Sequence, residues 1–303
     1  MPTIIRETSL LTSPRIPRPI TDGSGLVVAN VIGHPRDPSW EQVHQHTTEL
    51  LREAGGCIHC TAKDTWHRCG DFKALAQGIR YGTGMKKPGN TKNTKHNGAI
   101  LKSLMALKEI MQIVSFTNSC FHTWAPRLHK YYGDMMAALC ARHPHLQRNF
   151  AKGESVFACS TINFGPATKS FPHTNNNNLA WGWCAVTALG DYDPTRGGHL
   201  ILWDAKLRDI VIEFPPGSTI FIPSAVFAHS NTSTQPGETH YSFTRYTSGG
   251  LFRWVEHGYQ GEKAYNAGLS ARGKKKEERR KAARWENGMN MYSTIAKLTS
   301  LYK

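Results

Sequence analysis

Apolar and polar positions change rhythm near the middle of the chain. In "SWEQVHQHTTELLREAGG", Val43, Thr47, Leu50 and Leu51 recur at helical spacing and Gly55-Gly56 closes the run, predicting a helix over 39–56. Ser39 with Gln42 reads as its capping box. A second helix is predicted over 98–114, with Ile100, Leu104, Leu107 and Met111 on one side, and a third over 127–142, carrying Leu128, Tyr131, Met135 and Leu139. Beyond residue 155 come short β-rich runs: "SVFACSTINF", "LAWGWCAVTAL", "HLILWD", "IVIEFP", "STIFIPS" and "THYSFTRYT". They are separated by Gly, Pro, Asp and Asn, which argues for an antiparallel barrel or sandwich rather than a parallel βαβ sheet. The fold class is therefore α+β, with the helices bracing one face of the sheet. Residues 1–38, rich in Pro, Gly, Ser and Thr, read as an arm. A single domain spans 39–262, helical over 39–150 and β-rich over 155–262, and 263–303 form a basic extension.

Charge narrows the partners. The 303 residues carry 37 Lys and Arg against 22 Asp and Glu, a formal charge of +15. Such a balance favours a polyanionic partner, nucleic acid first. In the tail, "ARGKKKEERRKAARWENG" reads as a solvated basic face, a phosphate contact or a nuclear-targeting signal. No secretory signal and no membrane-crossing apolar run is expected. Seven cysteines without a regular framework point to a reducing compartment.

Two clusters bear on metal chemistry. "CIHCTAKDTWHRC" offers Cys57, His59, Cys60, His67 and Cys69, but its compressed H-x-C lacks the second well-separated pair of a structural zinc site. The other is "FPHTNNNN". A mononuclear iron oxygenase uses two histidines and one carboxylate on one face of the metal. H-x-D on a strand presents an imidazole and a carboxylate together, because positions i and i+2 share a face. Here His173 is followed by Asn175, which brings no charge, and His229 lies 56 residues on, able to arrive from a neighbouring strand. His199 and Asp204 form an alternative pair, on opposite faces of a regular strand. Two satisfied histidines remain the plain alternative on spacing alone.

Longer phrases carry more. "FPHTNNNNLAWGWCAVTALGDYDPTRGGHLILWD", "IVIEFPPGSTIFIPSAVFAHSNT", "GETHYSFTRYTSGGLFRWVEHGYQ" and, upstream, "HRCGDFKALAQGIRYGTGMKKPGN" and "FHTWAPRLHKYY" resemble the fungal TET/JBP-like branch of the 2-oxoglutarate- and Fe(II)-dependent dioxygenases. The resemblance spans roughly residues 65–262. It implies a double-stranded β-helix (jelly-roll, cupin-like) core, with His173, Asn175 and His229 at the positions of the iron ligands. It also implies an arginine for the distal carboxylate of 2-oxoglutarate, in the phrase where this chain has His240. Arg245, on the strand face of Tyr241 and Phe243 and opposite His240, is the expected clamp, since a guanidinium fork suits a carboxylate. The Asn at 175 is compatible with an engineered exchange and with natural drift to a binding-only protein.

The implied reaction is oxidation of 5-methylcytosine in double-stranded DNA, with base flipping to bring the methyl group to the iron. The implied location is the nucleus, and a monomer is expected. In "GIRYGTGMKKPGNTKNTKHNG", Arg80, Lys86, Lys87, Lys92 and Lys95 suit phosphates, while Asn176, Asn177 and Asn178 suit a flipped base or their own turn. Trp181 and Trp183 alternate as core residues or stacking platforms. Three alternatives stay open: a non-catalytic DNA-binding protein, a dioxygenase acting on N6-methyladenine, and a hydroxylase of proteins or small molecules.

Overall fold

The computed structural model describes residues 16–67, 69–203 and 209–302. Strands β1 (Arg18–Thr21) and β2 (Val27–Gly33) come first. Helix α1 (Trp40–Cys57), the single turn α2 (Ala62–Thr65) and strands β3 (Trp66–His67), β4 (Gly70–Asp71), β5 (Ala74–Arg80) and β6 (Gly89–Asn90) follow. Three helices, α3 (Lys95–Met105), α4 (Lys108–Trp124) and α5 (Pro126–Arg142), precede β7 (Cys159–Asn163) and β8 (Cys184–Asp191). Then come β9 (Leu200–Trp203), β10 (Ile210–Ile212), β11 (Thr219–Ile222), β12 (Ala228–Asn231) and β13 (Thr239–Tyr246). The described chain closes with α6 (Gly249–Glu256), α7 (Glu262–Ala267), α8 (Ala271–Met289) and α9 (Ile295–Leu301).

Eight strands form one antiparallel sheet in the order β1-β2-β11-β8-β13-β7-β5-β6, and β10-β9-β12 form a second. The helices cover the outer face of the larger sheet. Leu51, Leu101, Ile110 and Val114 meet Leu75, Ile162, Tyr241 and Phe243 of the strands. Phe121 of α4 stacks on Phe157 and Trp183, which also meets Phe221. Between the sheets, Ala188, Leu202, Ile212, Phe214, Ile220 and Ile222 seal one end. The architecture is α+β, as expected. Its β core is two antiparallel sheets, and the larger ends at β1 and β6 rather than closing into a barrel.

Other expectations need correction. Residues 18–33, read as part of an arm, add β1 and β2 to the larger sheet. The helix expected over 98–114 is two, because the chain turns extended at Leu107 and restarts as α4. Ser39 occupies the N-cap position of α1 without a side-chain cap; its hydroxyl donates to Asp37 (2.8 Å), and no box with Gln42 forms. The basic extension is packed down. Glu277 of α8 is buried and pairs with Arg280, which also reaches Glu256 of α6 (2.6 Å), while Gly288 lies against the Trp181 ring.

Candidate active site

A cavity of about 450 Å³ opens between the two sheets, inside the size range of small-molecule pockets, about 300–1,000 Å³. Its walls come from β5, β7, β8 and β13 on one side and from β9, β12 and the segment before β8 on the other. His173 and His229 stand together on this wall. Each donates its backbone N–H to the other's carbonyl, at 3.1 and 2.9 Å, and this one-residue antiparallel bridge brings the ring centroids to 4.4 Å. The sequence separation of 56 residues thus closes through the backbone itself.

The rings are oriented from behind. His173 Nδ1–H donates to the Phe171 carbonyl (2.7 Å) and His229 Nδ1–H to the Phe227 carbonyl (3.0 Å). Each bond selects the tautomer with its lone pair on Nε2, the arrangement in which a histidine ligates a metal. Asn175 is anchored by its backbone N–H to the Ser224 carbonyl (2.7 Å), and its amide lies 3.4 Å from His229 Nε2. Two imidazoles and an amide fit a divalent cation, with one negative charge fewer than a two-histidine, one-carboxylate set. Among the described residues, no group of three His, Cys, Asp or Glu is placed to hold an ion. That statement also covers the cysteine-rich stretch. Cys57 is exposed, His59 stacks on His96, and His67 and Cys69 line the cavity. His199 does not line the cavity, and Asp204 lies outside the described residues.

Strand β13 corrects the clamp. Tyr241, Phe243 and Arg245 do share a face, but that face is turned to the helices, and His240, Ser242, Thr244 and Tyr246 line the cavity. Arg245 is fully buried, with Nη2 donating to Thr117 Oγ1 (2.7 Å), Nη1 to the Val114 carbonyl (3.4 Å) and its guanidinium over the Phe243 ring. Burial pushes it down to about 9. It cannot reach a ligand in the cavity. The polar face of "THYSFTRYT" was the available signal: polar strand positions with a solvent-like partner belong to a cavity wall as readily as to the outside. Thr168 and Asn231 also line the wall and were not singled out in the sequence.

The other expected residues divide. Arg80 lines the cavity mouth together with Asn177 and Asn178, whereas Asn176 is exposed outside it. Lys86, Lys87, Lys92 and Lys95 are exposed; Tyr81, Gly82, Thr83 and Met85 of the same segment border the mouth. Trp183 is core, its indole N–H donating to the Val28 carbonyl, and Trp181 is buried beside α8. No stacking platform comes from either.

No protein-family model and no curated protein matches the sequence. Among solved structures, NgTET1 in complex with 5mC DNA aligns over 76% of this chain and 75% of its own, at 15% identity and a TM-score of 0.54. An oxidoreductase of the 2OG-Fe(II) oxygenase family from Burkholderia pseudomallei aligns over 66% of this chain and 77% of its own, at 15% identity and a TM-score of 0.37. OsALKBH1 aligns over 68% and 95%, at 9% identity and a TM-score of 0.38. The NgTET1 likeness concerns the fold: this chain shares the overall α+β architecture of that structure.

Proposed function

We propose that this chain acts on methylated double-stranded DNA as a 2-oxoglutarate- and Fe(II)-dependent dioxygenase of the TET/JBP kind, with 5-methylcytosine as the base taken into the cavity. The observation that carries the reading is the backbone bridge holding the His173 and His229 rings together beside a cavity of nucleobase size. The NgTET1 likeness and the charge of +15 support it. On this reading the sandwich is an opened double-stranded β-helix, and the protein works as a nuclear monomer.

Bound iron with 2-oxoglutarate would supply oxidation of an unactivated methyl group. His173 and His229 would hold the metal, with Asn175 beside them as an uncharged third donor. A base inside a duplex cannot reach this wall, so it must be extruded. Arg80 at the mouth and the exposed Lys86, Lys87, Lys92 and Lys95 meet phosphates, fixing the duplex while Asn177 and Asn178 face the entering base. Asn176, outside the cavity, contacts the strand beside it. Asn175 weakens metal retention and lowers turnover in this chain.

A second reading is favoured by that same neutral set and by Arg245 facing the helices: a DNA-binding protein that keeps the fold without oxidation. The test is a paired assay of this chain and Asn175→Asp on duplexes carrying 5-methylcytosine or N6-methyladenine, with nucleosides and succinate measured by mass spectrometry. Hydroxymethylcytosine from the Asp form, with far less from the Asn form, is the expected result. DNA binding by both with product from neither overturns the enzymatic reading in favour of the second.

A further inference from the structure

The cavity wall holds a buried histidine with one ring nitrogen unpartnered among the described residues. His240 of β13 is 4% exposed, and its Nδ1–H donates to the Thr168 carbonyl (2.8 Å). That bond leaves the neutral ring with its lone pair on Nε2, which has no hydrogen-bond partner among the described residues. Thr168 Oγ1 is buried and equally without a partner, and both residues line the cavity. Asn231 steadies the arrangement, its amide nitrogen donating to the Thr168 carbonyl (2.8 Å) beside His240 Nδ1. The Tyr192 ring packs edge-on against the imidazole at 5.1 Å, its hydroxyl donating to the Phe214 carbonyl. Two orphaned polar atoms on one wall form a built subsite, because burying them without a ligand is costly.

The chemistry of that subsite is unusual for an acid. A neutral Nε2 can only accept, so it repels a carboxylate; an imidazolium presents Nε2–H and attracts one. Among the described residues, Lys63 and Arg80 are the cations on the cavity wall, both exposed, and Arg245 faces away. The groups packed on His240 from other segments are Thr168, Asn231 and Tyr192, with Glu238 beyond Tyr192. None of the three in contact is charged. Burial holds the imidazole below its ordinary value, so the ligand-free ring is neutral near neutral pH.

Resting on the reading that a 2-oxo acid enters this cavity, we propose that His240 makes its capture proton-coupled. When the distal carboxylate of 2-oxoglutarate arrives, the ring takes one proton from solvent at Nε2 and donates it in a hydrogen bond to that carboxylate, with Thr168 Oγ1–H as the second donor. Nothing is oxidised in this step. Affinity therefore falls as pH rises, unlike capture by a permanently charged arginine. At high pH the subsite prefers an uncharged donor, such as the terminal amide of 2-oxoglutaramate, over the carboxylate.

The test is calorimetric titration of 2-oxoglutarate into the full chain with Mn(II), in paired buffers of different ionisation enthalpy. Uptake approaching one proton is expected, with affinity falling about tenfold per pH unit above neutrality. His240→Gln should bind more weakly with that uptake gone. His240→Arg should bind more tightly, also without it. Protonation of the metal-binding histidines affects all three proteins alike, so the difference between them isolates residue 240. If the arginine variant misfolds, the glutamine variant still decides. Equal proton uptake in the parent and His240→Gln, or a flat affinity in the parent, overturns the coupling and leaves the proposed function standing. No binding of 2-oxoglutarate by any form overturns both. Proton-coupled binding without product on DNA preserves the subsite and sinks only the assigned substrate.

Discussion

Replacing Arg245 by methionine should leave ligand binding intact and stabilise the fold. A guanidinium held at about 9 by burial sits on the order of 4–5 kcal/mol above its solvated state when charged. Against this stand its hydrogen bonds to Thr117 and Val114, worth about 1.5–3 kcal/mol together, and its place over Phe243, worth about 1 kcal/mol. Methionine keeps the length and the apolar contacts. Thr117 retains its own partner, since its hydroxyl donates to the Ile113 carbonyl (2.6 Å). The balance is neutral to about 2 kcal/mol in favour of the variant, as for other buried charges exchanged for apolar groups. The sign with pH follows. The unfolded chain binds this proton more tightly, so the penalty is complete below the folded value of about 9 and fades as pH rises above it. Urea unfolding from neutral to alkaline pH should show parent stability climbing towards that of Arg245→Met above about pH 9. The reasoning is refuted if the variant loses more than about 3 kcal/mol. It is equally refuted if a folded Arg245→Met no longer binds 2-oxoglutarate where the parent does, because the side chain would then face the cavity.

Three further outcomes follow from the packing and charge. Phe121→Ala removes a fully buried ring at the centre of the Phe157–Trp183–Phe221 stack and should cost about 3–5 kcal/mol in denaturant unfolding. Glu277, held below the ordinary glutamate range by its hydrogen bond from Arg280, stabilises the α8–α6 contact above that range and loses the effect as acid protonates it. Limited proteolysis should therefore release α8 faster at low pH in the parent, and at all pH values in Glu277→Gln. Exchanging Lys86 and Lys87 together for alanine should weaken binding to duplexes of any sequence and lower the salt slope by about 2, as measured by fluorescence anisotropy across a salt series.

Much of the architecture was legible because periodicity records which face is buried. Helices α1 and α5 and most of the later strands fall where their spacing predicts. The break between α3 and α4 was not legible, since Ala106 and Leu107 carry no Gly or Pro to announce it. Strand β5 was not among the elements predicted from the sequence, and Gly78 sits within it. That glycine holds φ +129°, and a Cβ there would meet the Ala158 carbonyl at 2.4 Å, so close strand approach excludes a side chain. On β13 the alternation was readable but its sense was not. Period two says which residues share a face; whether that face meets helices or a cavity is decided by packing of distant elements. The His173–His229 pairing was visible as residue types, and only the backbone bridge explains why two distant imidazoles meet.

The most direct test of the account is the electron spin-echo spectrum of Cu(II) bound to this chain, which counts coordinated imidazoles. The account predicts two, falling to one in both His173→Ala and His229→Ala, with tighter retention in Asn175→Asp. A spectrum with no imidazole, or one unchanged by either alanine exchange, would contradict it.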